Sequence, residues 1–278
     1  MRKLLYIVIF LSQFILVSYA QSTQTNEEIL NFVSRITVNP NTSLDVTETI
    51  TVYANQNKIR HGLTRWLPEH YIDSSGIIHH TTYQITRTQM NNQNVMFQTE
   101  NRDNHFFLKV GDPNTTLEPG IYQFTIQYHI KDAINLTANQ DEFYWNITGE
   151  SWDFPIVKAE TQILFPPGTQ ISKYEAYTGK RTAPAQDLKI TQPTANQILF
   201  TTTQPILPNE SLIIKAIWPK GITVGPSIKE KANLHFQLHT RLYVSTSLVL
   251  IFLTTLGICI LMVRSSRRKI QKLREKAY

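Results

Sequence analysis

The 278-residue chain has almost no cysteine: its single one, Cys259, lies inside a long apolar run near the C-terminus. No disulfide can therefore staple the residues before that run, and zinc-ribbon, thiol-redox and cysteine-nucleophile chemistry are excluded there. The chain carries no G-x-S-x-G, H-E-x-x-H, P-loop or dinucleotide fingerprint. It has no internal repeat, no low-complexity segment and no long helical period outside its apolar runs. A field of one sign is missing too. The net charge of +6 arises at the ends: two Lys/Arg precede Gln21, and seven Lys/Arg with one Glu follow Val263. Residues 21–263 hold the remaining 18 Lys/Arg against 20 Asp/Glu, so the basic excess is no argument for nucleic acid.

The two apolar runs set the expected topology. The chain opens MRKLLYIVIFLSQFILVSYAQS, with Arg2 and Lys3 ahead of an apolar stretch and small residues before Ala20. This reads as a secretory signal over 1–20, cleaved after Ala20, with an uncleaved anchor as the alternative. Leu242–Val263 (LYVSTSLVLIFLTTLGICILMV) is 22 uncharged residues. At about 1.5 Å per residue it reaches roughly 33 Å, enough for a hydrocarbon core of about 30 Å. Arg241 and Arg264 bracket it, and Arg267, Arg268 and Lys269 follow. Positive flanks stay on the cytoplasmic side. The expectation is a single-pass inner-membrane protein with its ectodomain periplasmic or extracellular. Its basic tail, 264–278, would lie in the cytoplasm against anionic lipid headgroups. Ile270 and Leu273 suggest one weakly amphipathic turn there.

Between these runs the dominant signal is alternation with period two. In SLDVTETITVY, Leu44, Val46, Ile50 and Val52 share a face; in GIYQFTIQYHI, Tyr122, Phe124, Ile126, Tyr128 and Ile130 do so. HFFLKV, EFYWNIT, KAETQILF, NQILFTTT and SLIIKAIW repeat the pattern, separated by NPNT, DSSG, DPNTTLEPG, PPGT and LPNE turns. The fold class is all-β: an antiparallel, sandwich-like ectodomain of about a dozen strands with one C-terminal transmembrane helix. Two packed β-modules, 21–155 and 156–221, are expected to meet near Pro155, with a single large sandwich as the alternative. Residues 222–241 read as a stem.

Five stretches, in order, carry a family resemblance: NPNTSLDVTETITV (39–52), IRHGLTRWLP (59–68), KVGDPNTTLEPGIYQFTIQY (109–128), DEFYWNITGESWDFPI (141–156) and LPNESLIIKAIWPKG (207–221). Together they resemble the N-terminal domain of the "domain of unknown function 2207" family of predicted bacterial membrane proteins. The resemblance implies an exported β-domain tethered to a membrane, and it implies no chemistry. Family members are often longer, with further spans and a cytoplasmic region, whereas 15 residues follow the span here. Roles belonging to those later parts are not carried over. N-x-S/T sequons stand at Asn41, Asn114, Asn135, Asn146 and Asn209. They would be glycan acceptors in a eukaryotic secretory protein and chance occurrences in a bacterial one.

Among candidate sites, Glu48 is the sharpest anomaly, because it shares the apolar face of its strand. A buried carboxylate needs a proton or a partner. It is either a raised-pKa acid in a cleft, a strand-edge or bulge residue, or half of a buried pair with Arg60 or Arg65. Arg60, His61, Arg65 and Trp66 gather basic and aromatic groups that suit an anionic or sugar ligand. They are read as an exposed interaction loop, with an irregular crossover between sheets as the alternative. Phe143, Trp145, Trp152, Phe154 and Pro155 form either a ligand platform or, as favoured here, a structural joint. Asp141, Glu142 and Asp153 read as solvated charges at strand ends rather than as a glycosidase pair. Adjacent His79 and His80 point to opposite faces of a strand, and no metal or cofactor is expected. The chain is therefore expected to be a non-enzymatic envelope protein whose ectodomain binds a membrane or envelope protein partner. The alternative is an envelope ligand-binding module for glycan or cell wall.

Overall fold

The computed structural model describes residues 26–72, 78–102, 105–225 and 228–275. The segment read as a signal, 1–20, lies outside the described residues. The strands run β1 Glu28–Val38, β2 Leu44–Ala54, β3 Leu63–Pro68, β4 His70–Ile72, β5 Ile78–His80 and β6 Thr82–Met90. They continue as β7 Gln93–Asn94, β8 Phe97–Arg102, β9 His105–Val110, β10 Gly120–Lys131, β11 Asn135–Leu136 and β12 Gln140–Asn146. The last are β13 Ala159–Leu164, β14 Lys173–Lys180, β15 Ala183–Ala185, β16 Leu188–Thr194, β17 Gln197–Thr202 and β18 Ile213–Pro219, followed by the helix α1, Ile228–Glu275.

Alternation dictates the core. In β2 every second residue from Leu44 to Ala54 is buried, and β10 repeats this from Phe124 to Ile130. These two strands pair antiparallel at the centre of an eight-stranded sheet ordered β16-β17-β13-β1-β2-β10-β6-β7. A five-stranded sheet, β11-β12-β18-β14-β15, supplies Phe143, Trp145, Ile214, Ala216 and Trp218 to the same hydrophobic cluster. A third sheet, β3-β9-β8, contributes Leu63, Leu67, Leu108 and Val110 to it, and β4 pairs with β5 alone.

The expected division at Pro155 does not separate two sheets. β13 enters from the far side of Pro155 and lies parallel to β1, between β1 and β17. β18 likewise pairs with β12. Residues 21–155 and 156–221 thus interleave in both large sheets, and contacts through Gly225 form one compact unit. The physical reason is that β1 has two edges and one sequence neighbour. β2 takes one edge and leaves the other to a distant strand, which only a long connection can deliver in parallel.

The helical part forms a second unit beginning at Pro226. Most of the residues read as stem and tail are helical: α1 starts at Ile228, ahead of the apolar run, and continues through Glu275 as one 48-residue helix. Within it Val244–Arg268 is long and apolar enough to cross a membrane, with mean hydropathy 2.5 and no part of it buried. Arg264, Arg267 and Arg268 are exposed on it, as is Cys259. Arg241 and Lys269 belong to the same helix by backbone; their side chains lie outside the description.

Candidate functional site

Arg65 and Trp66 do not sit on a loop. They belong to β3, whose alternation sends Leu63, Arg65 and Leu67 inward and Thr64, Trp66 and Pro68 outward. Arg65 is therefore 1 % exposed and Glu48, arriving from β2, is also 1 % exposed. The two form a two-pronged ion pair, Nε to Oε2 at 2.9 Å and Nη2 to Oε1 at 2.9 Å. Nη1 donates further to the carbonyls of Trp66 (3.0 Å) and Thr148 (2.8 Å), and Nη2 to that of Ile147 (2.8 Å). All five guanidinium N–H groups are thereby used, and the Tyr128 hydroxyl donates to Glu48 Oε1 at 2.7 Å. The rings of Phe32 and Trp152 lie 5.5 and 5.9 Å from the guanidinium carbon. Burial works against the Arg65 charge. The adjacent Glu48 carboxylate outweighs it and holds the guanidinium above its usual range.

This arrangement chooses among the readings of Glu48: it is half of a buried pair, and the partner is Arg65. Glu48 and Arg65 are a strut rather than a reaction centre, because every polar group of the pair is engaged inside the protein. The strut fixes the chain after β12. A methyl group placed at Gly149, whose φ is +73°, would stand 2.6 Å from Arg65 Nη1, so glycine is needed there both for the turn and for the space.

Tyr128 provides a pH handle. Burial first, and then the charge of Glu48, pushes its phenol well above the ordinary value, with Arg65 acting the other way. A raised tyrosine contributes stability that is complete below the unfolded pKa and is lost as pH rises beyond it. The unfolding free energy should therefore start to fall above about pH 10. In Tyr128→Phe that decline should be shallower by up to about 1.4 kcal/mol per pH unit, as read by denaturant titration at stepped pH. An unchanged slope would mean that Tyr128 reaches solvent.

The aromatic stretch runs from one large sheet to the other. Phe143 and Trp145 point inward from β12, Trp152 donates its Nε1–H to Thr148 O at 2.8 Å, and Phe154 lies 5.6 Å from the Trp152 ring. Ile29 N–H then donates to Pro155 O at 2.9 Å, and Ile156 bridges Ile29 and Ile206. Asp141 and Glu142 differ from expectation: they are 0 % and 2 % exposed, not solvated. Lys220 Nζ lies 2.7 Å from Asp141 Oδ1 and Lys215 Nζ 2.9 Å from Glu142 Oε2, while the Thr223 hydroxyl donates to Asp141. Lysines that arrive on and after β18 make their burial tolerable. Asp153 remains on the surface, paired with Lys58 at 3.0 Å.

On the outward face of the β3-β9-β8 sheet Trp66 is half-buried, Arg102 and Lys109 are exposed, and Phe107 is buried beneath them. Trp66 packs on Phe107 at 4.3 Å and on His105 at 5.9 Å, and the Arg102 guanidinium lies 4.8 Å over Phe107. Lys109 approaches Glu100 at 3.3 Å across β9 and β8. This face is the floor of a cleft of about 610 Å³ whose far wall is the 150–154 segment. A smaller cleft of about 220 Å³ continues past Trp66 toward His70, Tyr144 and Arg181. All six residues of β8 are exposed, and among the described strands none pairs with its outer edge. Arg65 holds the wall from behind, since Ile147 O and Thr148 O lead directly into it. Arg60 and His61 are exposed in the loop before β3, so the four residues grouped by sequence divide between surface and core. Among the described residues no three His, Cys, Asp or Glu side chains are grouped to hold a metal ion. His79 and His80 lie on β5, and their side chains fall outside the description.

Residues 28–218 match the family described as "Predicted membrane protein (DUF2207) N-terminal domain". An uncharacterized protein of Escherichia coli (strain K12), YciQ, is 26 % identical over 240 residues, covering 84 % of this chain. The chain spans 37 % of that relative's length. Among solved structures, native yeast LTA4 hydrolase is similar over 70 % of this chain and 30 % of its own, at 14 % identity and TM-score 0.42. An M1 zinc metallopeptidase from Deinococcus radiodurans is similar over 69 % of this chain and 42 % of its own, at 14 % identity and TM-score 0.38. Likenesses of this size do not carry an activity across.

Proposed function

The chain belongs to the family of predicted membrane proteins with a DUF2207 N-terminal domain, and from that premise we propose that its β-domain is a membrane-anchored interaction module, not an enzyme, that docks an extended segment of an envelope protein partner. The observation that carries this reading is the outer face of the β3-β9-β8 sheet. An open six-residue edge, β8, stands beside a cleft floored by Trp66 and Phe107. An extended partner strand gains main-chain hydrogen bonds at such an edge and takes selectivity from side-chain pockets beside it. Glu100 and Arg102 on β8 disfavour indiscriminate pairing, as charges on open edges do. The interior ionisable groups, Glu48, Arg65, Asp141 and Glu142, are each committed to an internal partner, which supports binding over catalysis.

In this reading the span is crossed once, the β-domain lies outside the cytoplasm and the basic end of α1 lies inside. The support is the excess of Lys/Arg after Val263, with Arg264, Arg267 and Arg268 exposed to meet anionic headgroups. The test is a photo-crosslinking residue placed at Thr99 in β8, with the same residue at exposed Lys189 in β16 as the control, in native membranes. A discrete protein adduct from position 99 alone is expected. Identical adducts from both positions, or lipid alone from both, would remove the docking edge.

A further inference from the structure

The loop before β3 builds a second cleft, of about 250 Å³, which adjoins the larger one and shares Lys58, Gly62, Leu63, Thr64 and Lys109 with it. Lys58, Arg60, His61 and Lys109 line it, and none of its lining residues carries a carboxylate. This is unusual in a domain whose Asp and Glu slightly outnumber its Lys and Arg. The neighbouring larger cleft, by contrast, includes Glu150 and Asp153. We infer that the basic cleft is a binding site for a phosphate group, with Arg60 and Lys109 as its principal ligands.

The site is built before any ligand arrives. Glu27, 8 % exposed, spends its carboxylate on the loop backbone: Oε1 accepts from the N–H groups of Asn55 (3.1 Å), Asn57 (3.0 Å) and Ile59 (3.0 Å), and Oε2 from that of Lys58 (2.7 Å). Arg60 O accepts from Leu117 N–H at 2.8 Å, which anchors the far side of the loop. Gly62 and Gly111, both in the cleft lining, lie backbone to backbone in contact. A Cβ on Gly62 would come 2.0 Å from Val110 O, and one on Gly111 2.1 Å from His61 O. Side chains at either position would force the two backbones apart, so this close approach in the cleft lining requires both glycines.

The cations are available. Lys58 and Lys109 pair with Asp153 and Glu100 across exposed contacts, at 3.0 and 3.3 Å, and such pairs contribute little and exchange readily. Arg60 is exposed, and among the described residues no carboxylate pairs with it. His61 donates its Nδ1–H to Thr115 O at 3.0 Å, which leaves Nε2 as its second polar group. A guanidinium fork and two ammonium groups match the charge and the several oxygens of a phosphate better than a single carboxylate, which one arginine already satisfies. The phosphate could belong to a soluble compound or to a lipid headgroup.

The experiment uses the full chain in phosphatidylcholine nanodiscs, titrated calorimetrically with pyrophosphate at constant ionic strength. Saturable one-to-one binding is expected. Arg60→Gln and Lys109→Gln should each weaken it at least tenfold without moving the thermal midpoint, and Lys131→Gln, an exposed lysine on β10 away from the cleft, should leave it unchanged. Absence of saturable binding overturns the proposal, as does equal weakening by Lys131→Gln, which would show general charge screening. Repeating the titration in discs containing phosphatidylglycerol identifies the source. Weaker pyrophosphate binding there, with Arg60→Gln abolishing the difference, supports a lipid headgroup; the same affinity supports a soluble phosphate.

Discussion

Arg65→Met is expected to lower the unfolding free energy of the β-domain by about 3–5 kcal/mol, because it leaves Glu48 charged, buried and without its partner. It also strips donors from the carbonyls of Trp66, Ile147 and Thr148. At roughly 2–4 °C per kcal/mol for a domain of this size, the thermal midpoint should drop by about 6–20 °C. Methionine keeps much of the side-chain length, so little of the effect comes from lost volume. Arg65→Lys should recover only part of the loss, since one ammonium cannot reproduce the five-donor fork. Combining Arg65→Met with Glu48→Leu should be less damaging than Arg65→Met alone, because the isolated charge disappears with its partner. Circular dichroism melts of the unaltered protein, these three variants and Glu48→Leu alone test this. Additive losses in the double variant would show that the ion pair carries no coupling.

The second large effect is expected at Trp152. Truncation to alanine should cost about 3–5 kcal/mol, the range for buried aromatic residues. The ring is 6 % exposed, its Nε1–H holds Thr148 O, and its face lies beside the Arg65 guanidinium. Both residues thus grip the same carbonyl from different sides. The losses from Trp152→Ala and Arg65→Met should therefore sum to more than the double variant shows. A Trp152→Ala β-domain with an unchanged midpoint would return Trp152 to the list of surface binding residues. Trp152 also lines the large cleft, so Trp152→Phe, which preserves most of the packing, is the variant for asking whether the 150–154 wall matters to partner docking.

Much of this architecture was legible in one dimension. Period-two alternation placed β2, β9, β10, β12, β13, β17 and β18 and assigned the inward faces of β2 and β10. Glu48 stood out because a carboxylate occupied an apolar-face position. The same alternation was present in LTRWLP, where Leu63 and Leu67 flank Arg65 at two-residue spacing, so Arg65 carried the same signature as Glu48. Reading its basic and aromatic neighbours as a loop concealed that signal. Asp141 and Glu142 were harder: adjacent charges at a strand start resemble solvent-facing residues. The lysines that neutralise them come some 75 residues later, Lys215 from β18 and Lys220 just beyond it. Glu27 carried no local mark at all, because its partners are four backbone N–H groups of another turn.

The division has a physical cause. The amino-acid sequence by itself determined seven of the strands, the apolar faces of β2 and β10, and that one C-terminal helix is long and apolar enough to cross a membrane. Those properties follow from the side-chain period and from length, both local quantities. Only the tertiary structure decided which strand lies beside which, that β13 runs parallel to β1, and that the two parts of the chain on either side of Pro155 share their sheets. It also decided which charges are inside. A backbone edge is the same hydrogen-bonding ladder whatever its side chains, so pairing between distant strands leaves no local signature. The burial of Glu48 is tolerable only because Arg65 reaches it from β3, a strand of another sheet.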